Sequence, residues 1–350
     1  MKKKKSEYSR RKFLSTTALG AAAVSAPAML GGCSSRSGSA QKPEEGEEQE
    51  QENRQELEGT MPTRILGKTG LAVSILTFGG GSQFLKNKNG EWEKHLEEAV
   101  KSGINLFDTS PDYTVVSRGE EKAFSSEERF GQILPAYRDQ VMISTKINER
   151  EASPARKSVE ESLKRLKTDH VDIIMLHAVN EKDTVAGIEN GVYREMVKMK
   201  EEGIAGHIGF SSMDSAERSK DLLENLDFDM AMLAMNPSRW GDYPGVAFPA
   251  AIEKNVGIIA MKVVRDIVGV AASAEELLGY AWDREGVASS VVGNVGIDIL
   301  KQNIGLAYAR GKKSLASVDK DELESRLAPY AGPHALCWAR PGYRDGGIIV

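Results

Sequence analysis

Eight short apolar runs alternate from Thr63 onward with amphipathic stretches of helical spacing, which predicts an α/β fold with a (β/α)8 TIM barrel as the leading topology. Length agrees, because 350 residues hold one barrel of about 250 residues with extensions to spare. The third observation is where ionisable residues fall. Chemistry in a parallel barrel is placed at the carboxyl ends of strands, and here an aspartate, a lysine and a histidine close three successive runs.

In order, the predicted strands are 73–78, 104–107, 141–145, 171–176, 205–210, 230–235, 257–261 and 289–292. The stretches 152–166, 193–202, 274–284 and 298–310 carry helical spacing and charge pairs, and 321–328 reads as one extra helix. Residues 332–350 are rich in Gly, Pro and aromatic residues and irregular. The barrel is therefore assigned to 61–315, and a C-terminal helix and loop to 316–350.

Before the barrel the composition changes twice. Residues 1–33 combine a basic head, the twin-arginine motif Ser9-Arg10-Arg11-Lys12-Phe13-Leu14 and a weakly apolar Ala/Gly/Ser-rich span, which reads as a twin-arginine (Tat) signal peptide. Its modest hydrophobicity and Pro27 argue against a stable membrane span. The span ends Leu30-Gly31-Gly32-Cys33, which resembles a lipobox, so lipidation of Cys33 and attachment to a membrane of the cell envelope, facing the periplasm, are expected. Residues 34–60 offer almost no apolar side chains and many glutamates, the composition of a disordered acidic tether.

Residues 1–33 hold seven Lys/Arg and one Glu, so a net charge of −5 for the whole chain leaves −11 beyond them. An acidic body of that kind excludes a broad basic face for nucleic acid. Two cysteines, Cys33 and Cys337, are too few for a disulfide framework, and the five histidines are scattered, so no metal site is indicated.

The stretch Gly103-Ile-Asn-Leu-Phe-Asp-Thr-Ser-Pro-Asp-Tyr113 reads as a buried strand running into Asp108, with a tyrosine five positions on. Lys146 ends the run that starts at Val141, and His177 the run that starts at Val171. A lysine or histidine there is costly to desolvate unless something pairs with it. Each has a bland reading: a structural Lys146–Asp108 ion pair, a loop aromatic at Tyr113, a core histidine at 177.

The pattern resembles the aldo-keto reductase family, whose catalytic tetrad is an Asp and a Tyr from the strand-2 loop, a Lys ending strand 3 and a His ending strand 4. Other stretches in the family's order are Leu66-Gly-Lys-Thr-Gly-Leu71 and the run to Gly80, similar to its N-terminal β-hairpin and first strand; Ser162-Leu-Lys-Arg-Leu-Lys-Thr-Asp-His-Val-Asp172; and Gly206-His-Ile-Gly-Phe-Ser211. The resemblance covers about residues 63–310. It implies an oxidoreductase that reduces an aldehyde or ketone on a small molecule with NADP(H) or NAD(H). Tyr113 is then the general acid, Lys146 lowers its pKa, Asp108 holds Lys146 charged, and His177 orients the carbonyl oxygen. A family member that keeps the nicotinamide bound and serves as a redox sensor or binding protein is the alternative. A hydrolytic or isomerising barrel has no paired carboxylates or metal cluster behind it.

For the cofactor, the resemblance implies contacts from Gly79 and Gly80, from Ser211 and Ser212 toward the carboxamide, from Met261 in place of the ring-stacking aromatic, with Lys262 beside it, and from Gly293, Asn294 and Asn303 toward the adenosine. The Gln usually found with the serines falls at Met232. The basic residues that clamp a 2′-phosphate fall near Gly293 and Ile299, which leaves Lys301 as the substitute and weakens the expected preference for NADP. The loop after Tyr113 departs from the family's pattern, so substrate identity does not carry over.

Overall fold

The apolar runs become strands, and the sheet they make closes on itself. The structure, a computed structural model, describes residues 58–116 and 124–349; the twin-arginine motif, Cys33 and the glutamate-rich stretch lie outside the described residues. β1 (Thr63–Ile65) and β2 (Ala72–Ser74) form an antiparallel hairpin. They are followed by β3 (Leu76–Gly79), β4 (Leu106–Asp108), the two-residue β5 (Val115–Val116), β6 (Met142–Ile147), β7 (Val171–Val179), β8 (Ala205–Ser212), β9 (Met230–Ala234), β10 (Gly257–Met261), β11 (Val287–Val292) and β12 (Ile348–Ile349). Eight of them close a barrel in the order β10-β11-β3-β4-β6-β7-β8-β9, with parallel neighbours throughout. Strands of a parallel barrel are covered on both faces, which is why they read as near-continuous apolar runs.

The run 73–78 is not one strand. Ser74 N donates to Asn105 Oδ1 at 2.7 Å and Ile75 N to Pro62 O at 2.9 Å, which ties residues up to Ile75 to the hairpin side. Only from Leu76 does the chain pair with β4 and β11 inside the barrel. No Gly or Pro marks this break, so periodicity alone passes over it. Likewise β6 and β7 continue past Lys146 and His177 to Ile147 and Val179.

Around the barrel lie α1 (Trp92–Lys101), α2 (Ser126–Ile133), α3 (Ala152–Leu166), α4 (Arg194–Glu201), α5 (Ala216–Asn225), α6 (Phe248–Glu253), α7 (Ala274–Trp282), α8 (Ile297–Gly311) and α9 (Lys320–Leu327). Sequence reading did not single out α1, α2, α5 or α6. Yet α1 buries Trp92, His95, Leu96, Ala99 and Val100, a regular helical stripe, and α2 opens on a capping box between Ser125 and Glu128. Among the described residues no helix is long and apolar enough to cross a membrane.

One buried cation shapes the end of the barrel nearest β3 and β11. Arg129 of α2 is 3% exposed, donates to Phe84 O, Leu85 O and Asn87 O, and stacks over Phe84 and Trp92. Burial, opposed in part by the charge of Glu93, lowers its guanidinium to about 10. The turn it holds presents Asn87, which donates to Asn294 O and accepts from Gly296 N, so the start of α8 is pinned to the turn after β3. Beneath it Phe78, Phe84, Phe107 and Phe130 pack as one aromatic cluster. Truncating any of these rings to Ala would cost about 3–5 kcal/mol.

Candidate active site

Three neighbouring strands supply the charged residues. Asp108 ends β4, Lys146 lies in β6 and His177 in β7. Lys146 Nζ donates to Asp108 Oδ2 at 2.6 Å and to Thr109 O at 2.8 Å, with both side chains under 5% exposed. The other carboxylate oxygen of Asp108 accepts from Ser144 Oγ at 2.9 Å. Burial raises the Asp108 carboxyl above its ordinary range, while Lys146 and Ser144 pull the other way. A charge pair this deep is sustained by these extra hydrogen bonds.

Tyr113 reaches the same spot through a turn in which its N–H bonds to Ser110 O at 3.0 Å. Its ring is buried, with Lys146 Nζ 4.8 Å from the centroid and the His177 ring edge-on at 5.9 Å. Burial, then the charges of Asp345 and Asp108, push the phenol well above 10. The net shift is thus opposite to the expected fall, with burial the largest cause. The ammonium sits over the ring face and gives hydrogen bonds to Asp108 and Thr109, while a second carboxylate faces the phenol.

His177 is fixed from both sides. Its Nδ1 lies 2.8 Å from Asn148 Oδ1 and 3.4 Å from Ser110 Oγ. Burial and the charge of Lys146 hold its pKa at about 3, so the ring is neutral at pH 7 and carries one proton. The orientation of the Asn148 amide decides where: oxygen toward the ring places the proton on Nδ1, a flipped amide places it on Nε2. Arg150 donates to His177 O and Asn148 O and is clamped by Asp183 through two bonds of 2.8 and 2.9 Å. Ser110, Ser144, Asn148 and Arg150 were not foreseen. The alternation of β6, which puts 144, 146 and 148 on one face, is the signal that could have found two of them.

The opposite wall is of another kind. The cleft beside Tyr113 and Asp108 is faced by Gly79, Met232, Met261, Lys262, Val291 and Gly293. A Cβ on Gly79 would stand 3.0 Å from Gly293 N, and one on Gly80 would strike Ser126 Oγ, so these glycines let neighbouring strand ends approach. Ser211 Oγ accepts from Ala178 N at 3.0 Å and keeps its own proton. Ser212 is turned away into the fold: it bonds Val179 O at 2.8 Å and the Tyr243 hydroxyl at 3.0 Å. Asn294 and Asn303 are buried and bonded to each other at 2.8 Å. Lys301 lies half-buried on α8, and Ile299 is 47% exposed.

The C-terminal segment enters the cleft. Lys262, at the end of β10 with a left-handed backbone (φ 63°), bonds Asp345 Oδ1 at 2.5 Å, and Tyr343 Oη donates to the same oxygen at 2.8 Å. Burial works to raise the Asp345 carboxyl, but Lys262 and Tyr343 draw it down to about 2. Just beyond, β12 pairs in parallel with β5. Among the described residues no group of His, Cys, Asp and Glu is arranged to hold a metal ion.

Comparison with known proteins agrees with the fold. Residues 76–266 match the family described as "Aldo/keto reductase family". L-galactose dehydrogenase of Arabidopsis thaliana is 33% identical over 162 residues, 43% of this chain and 48% of the relative, and L-glyceraldehyde 3-phosphate reductase of Escherichia coli is 31% identical over 213 residues, 54% and 57%. The chain thus spans about half the length of these curated relatives. A solved aldo-keto reductase structure from Pseudomonas aeruginosa is 30% identical with a TM-score of 0.59, covering 72% of this chain and 97% of its own. Another from Bacillus halodurans, at 20% identity and a TM-score of 0.61 over 77% and 96% of the two chains, shares the fold.

Proposed function

The chain belongs to the aldo/keto reductase family, and from that premise we propose that it reduces an aldehyde or ketone on a small molecule by hydride transfer from NADP(H) or NAD(H), with Tyr113 as proton donor. The observation that carries the proposal is the convergence of Asp108, Lys146, Tyr113 and His177 on one another, with Asp108 and Tyr113 lining the cleft. A nicotinamide fits the opposite wall in kind: Met232 and Met261, which line it, offer polarisable thioether faces. When bound, the nicotinamide supplies the hydride.

The remaining steps belong to the chain. Tyr113 Oη gives its proton to the carbonyl oxygen as negative charge develops there. Lys146, held charged by Asp108, lies beside the phenolate that remains and stabilises it. His177, neutral and held at Nδ1 by Asn148, orients the substrate oxygen from Nε2 in the tautomer that carries its proton there, the one the flipped Asn148 amide sets. Titrating the purified protein with NADH and NADPH by fluorescence, then screening carbonyl compounds for cofactor oxidation, tests the proposal. Absence of nicotinamide binding would end it. Binding with no turnover would favour a redox sensor, a reading supported by the raised Tyr113 phenol and by the loss of Ser212 as a carboxamide partner.

Export by the twin-arginine route and a lipid anchor at Cys33 are part of the same proposal, resting on the motifs at Arg10, Arg11 and Cys33. Replacing both arginines by lysine should retain the folded protein in the cytoplasm, and Cys33→Ala should abolish lipid labelling. Membrane partition that persists in Cys33→Ala would refute the anchor.

A further inference from the structure

The cation at the cleft floor is already taken. Lys262 and Asp345 both line the cleft that holds Tyr113, Met261 and Gly293, and the carboxylate on Lys262 comes from 83 residues along the chain. Lys262 is presented by a left-handed backbone, a conformation costly for any residue with a Cβ, and its carbonyl is steadied by Asn236 Nδ2 at 3.2 Å. We infer that residues 343–349 are an internal competitor, whose Asp345 carboxylate occupies on Lys262 the seat of an anionic group, phosphate or carboxylate, carried by the ligand, and which ligand binding releases. The inference rests on the cleft being a nicotinamide and carbonyl site.

Three observations favour release over permanent closure. Apart from the grip of Asp345 and Tyr343 on Lys262, the attachment is slight: β12 and β5 pair over two residues each, and Ile348 N bonds Thr114 O at 2.9 Å. A two-strand ladder of that length has little stability of its own. Glycines bracket the clip: Gly342 has φ 78°, and Gly346 and Gly347 follow Asp345, with a Cβ on Gly347 meeting Thr114 O at 2.3 Å. The segment can lie this close to β5 only because it has no side chain there, and it can leave by turning at the same glycines. The charge is also wrong for a working site. A carboxylate beside Tyr113 opposes negative charge developing on a neighbouring carbonyl oxygen, so the state with Asp345 inside is a resting one.

Amide hydrogen exchange of residues 343–349 and equilibrium binding test this on the wild-type protein, Asp345→Asn and Lys262→Met. The probes are NADH, inorganic pyrophosphate, and 4-carboxybenzaldehyde against benzaldehyde. Saturating anionic probe should accelerate exchange in 343–349 of the wild type. Asp345→Asn should bind it about tenfold more tightly, and Lys262→Met about tenfold more weakly. A gain seen with NADH and pyrophosphate assigns the seat to the cofactor's diphosphate; a gain confined to 4-carboxybenzaldehyde, and absent with benzaldehyde, assigns it to an acidic substrate. Slower exchange on binding, with weaker binding by Asp345→Asn, would mean that the segment is a lid that helps to hold ligand, and would overturn the inference. Release by pyrophosphate without any NADH binding would sustain the competitor and sink the reductase reading, whereas NADH binding without release does the reverse.

Discussion

Along β4, β6 and β7 the polar side chains around Tyr113 are bonded to neighbouring segments: Asp108 to Ser144 and Lys146, His177 to Asn148, Arg150 to Asp183. Along β10 and β11 the cleft is faced by Met261, Val291 and Gly293, with Lys262 and Arg265 just past the end of β10, and Lys262 takes its carboxylate from the C-terminal segment. One wall is organised before any ligand arrives. The other is shaped by groups that make no directional demand, so the chemistry is set by the first wall, and ligand choice by the second together with whatever displaces Asp345.

The comparison breaks most visibly if Lys146 is removed. Lys146→Met leaves Asp108 buried without its counter-ion and should cost about 3–5 kcal/mol in denaturant unfolding, with most of it restored in Lys146→Met/Asp108→Asn. A loss under about 1 kcal/mol would mean that the pair does not organise its wall.

Tyr113→Phe keeps the ring over Lys146 and removes the proton. Reduction should slow by at least about a hundredfold with cofactor affinity nearly unchanged, read from kcat and from NADPH titration. Retention of most of kcat would remove Tyr113 from the donor role.

His177 sharpens the contrast through pH. Its folded pKa, about 3, lies below the ordinary value of 6.5, so on acidification the unfolded chain takes up a proton that the folded one refuses. Its contribution to stability is therefore complete above pH 6.5 and declines as pH falls toward 3. Between pH 6.5 and 5 the wild type should lose about 2 kcal/mol more than His177→Gln, measured by urea unfolding. Equal losses would show that the ring is protonated in the fold.

The second wall should give the smallest effect. Gly293 and Ile299 provide no guanidinium, and Lys301 is a single flexible cation worth about 1 kcal/mol when exposed. NADPH should be preferred over NADH by less than about a hundredfold, and Ile299→Arg should widen the gap. A native preference above about a thousandfold would mean that another basic residue clamps the ribose phosphate.

The two walls also differed in what could be read beforehand. Lys146 and His177 stood out because a charged or titratable side chain at the end of an apolar run must be paired, and the pairing partner, Asp108, ends the preceding run. Ser144 and Asn148 were latent in the alternation of β6. Asp345 carries no such signal: it lies in an irregular segment, and its importance comes from a contact 83 residues away in sequence. Burial first, and after it the charge of Asp345, explains why the expected fall in the Tyr113 pKa is absent. The fate of Ser212 was equally hidden, since it depends on Val179 and Tyr243, two residues that no local pattern links to it.

Ala178 and Lys262 share a left-handed backbone at strand ends beside the cleft, with φ of 52° and 63°. Each pays about 1 kcal/mol for its Cβ, and glycine would recover a part of that. Selection for thermal resistance alone would therefore drive both positions toward glycine. At 178 the exchange would leave the His177 imidazole in place, whereas at 262 it would delete the ammonium that holds Asp345 in the cleft. A library sorted first by heat and then by turnover should keep the former substitution and discard the latter, so the durability of Lys262 under the two screens measures how far this protein trades robustness for recognition.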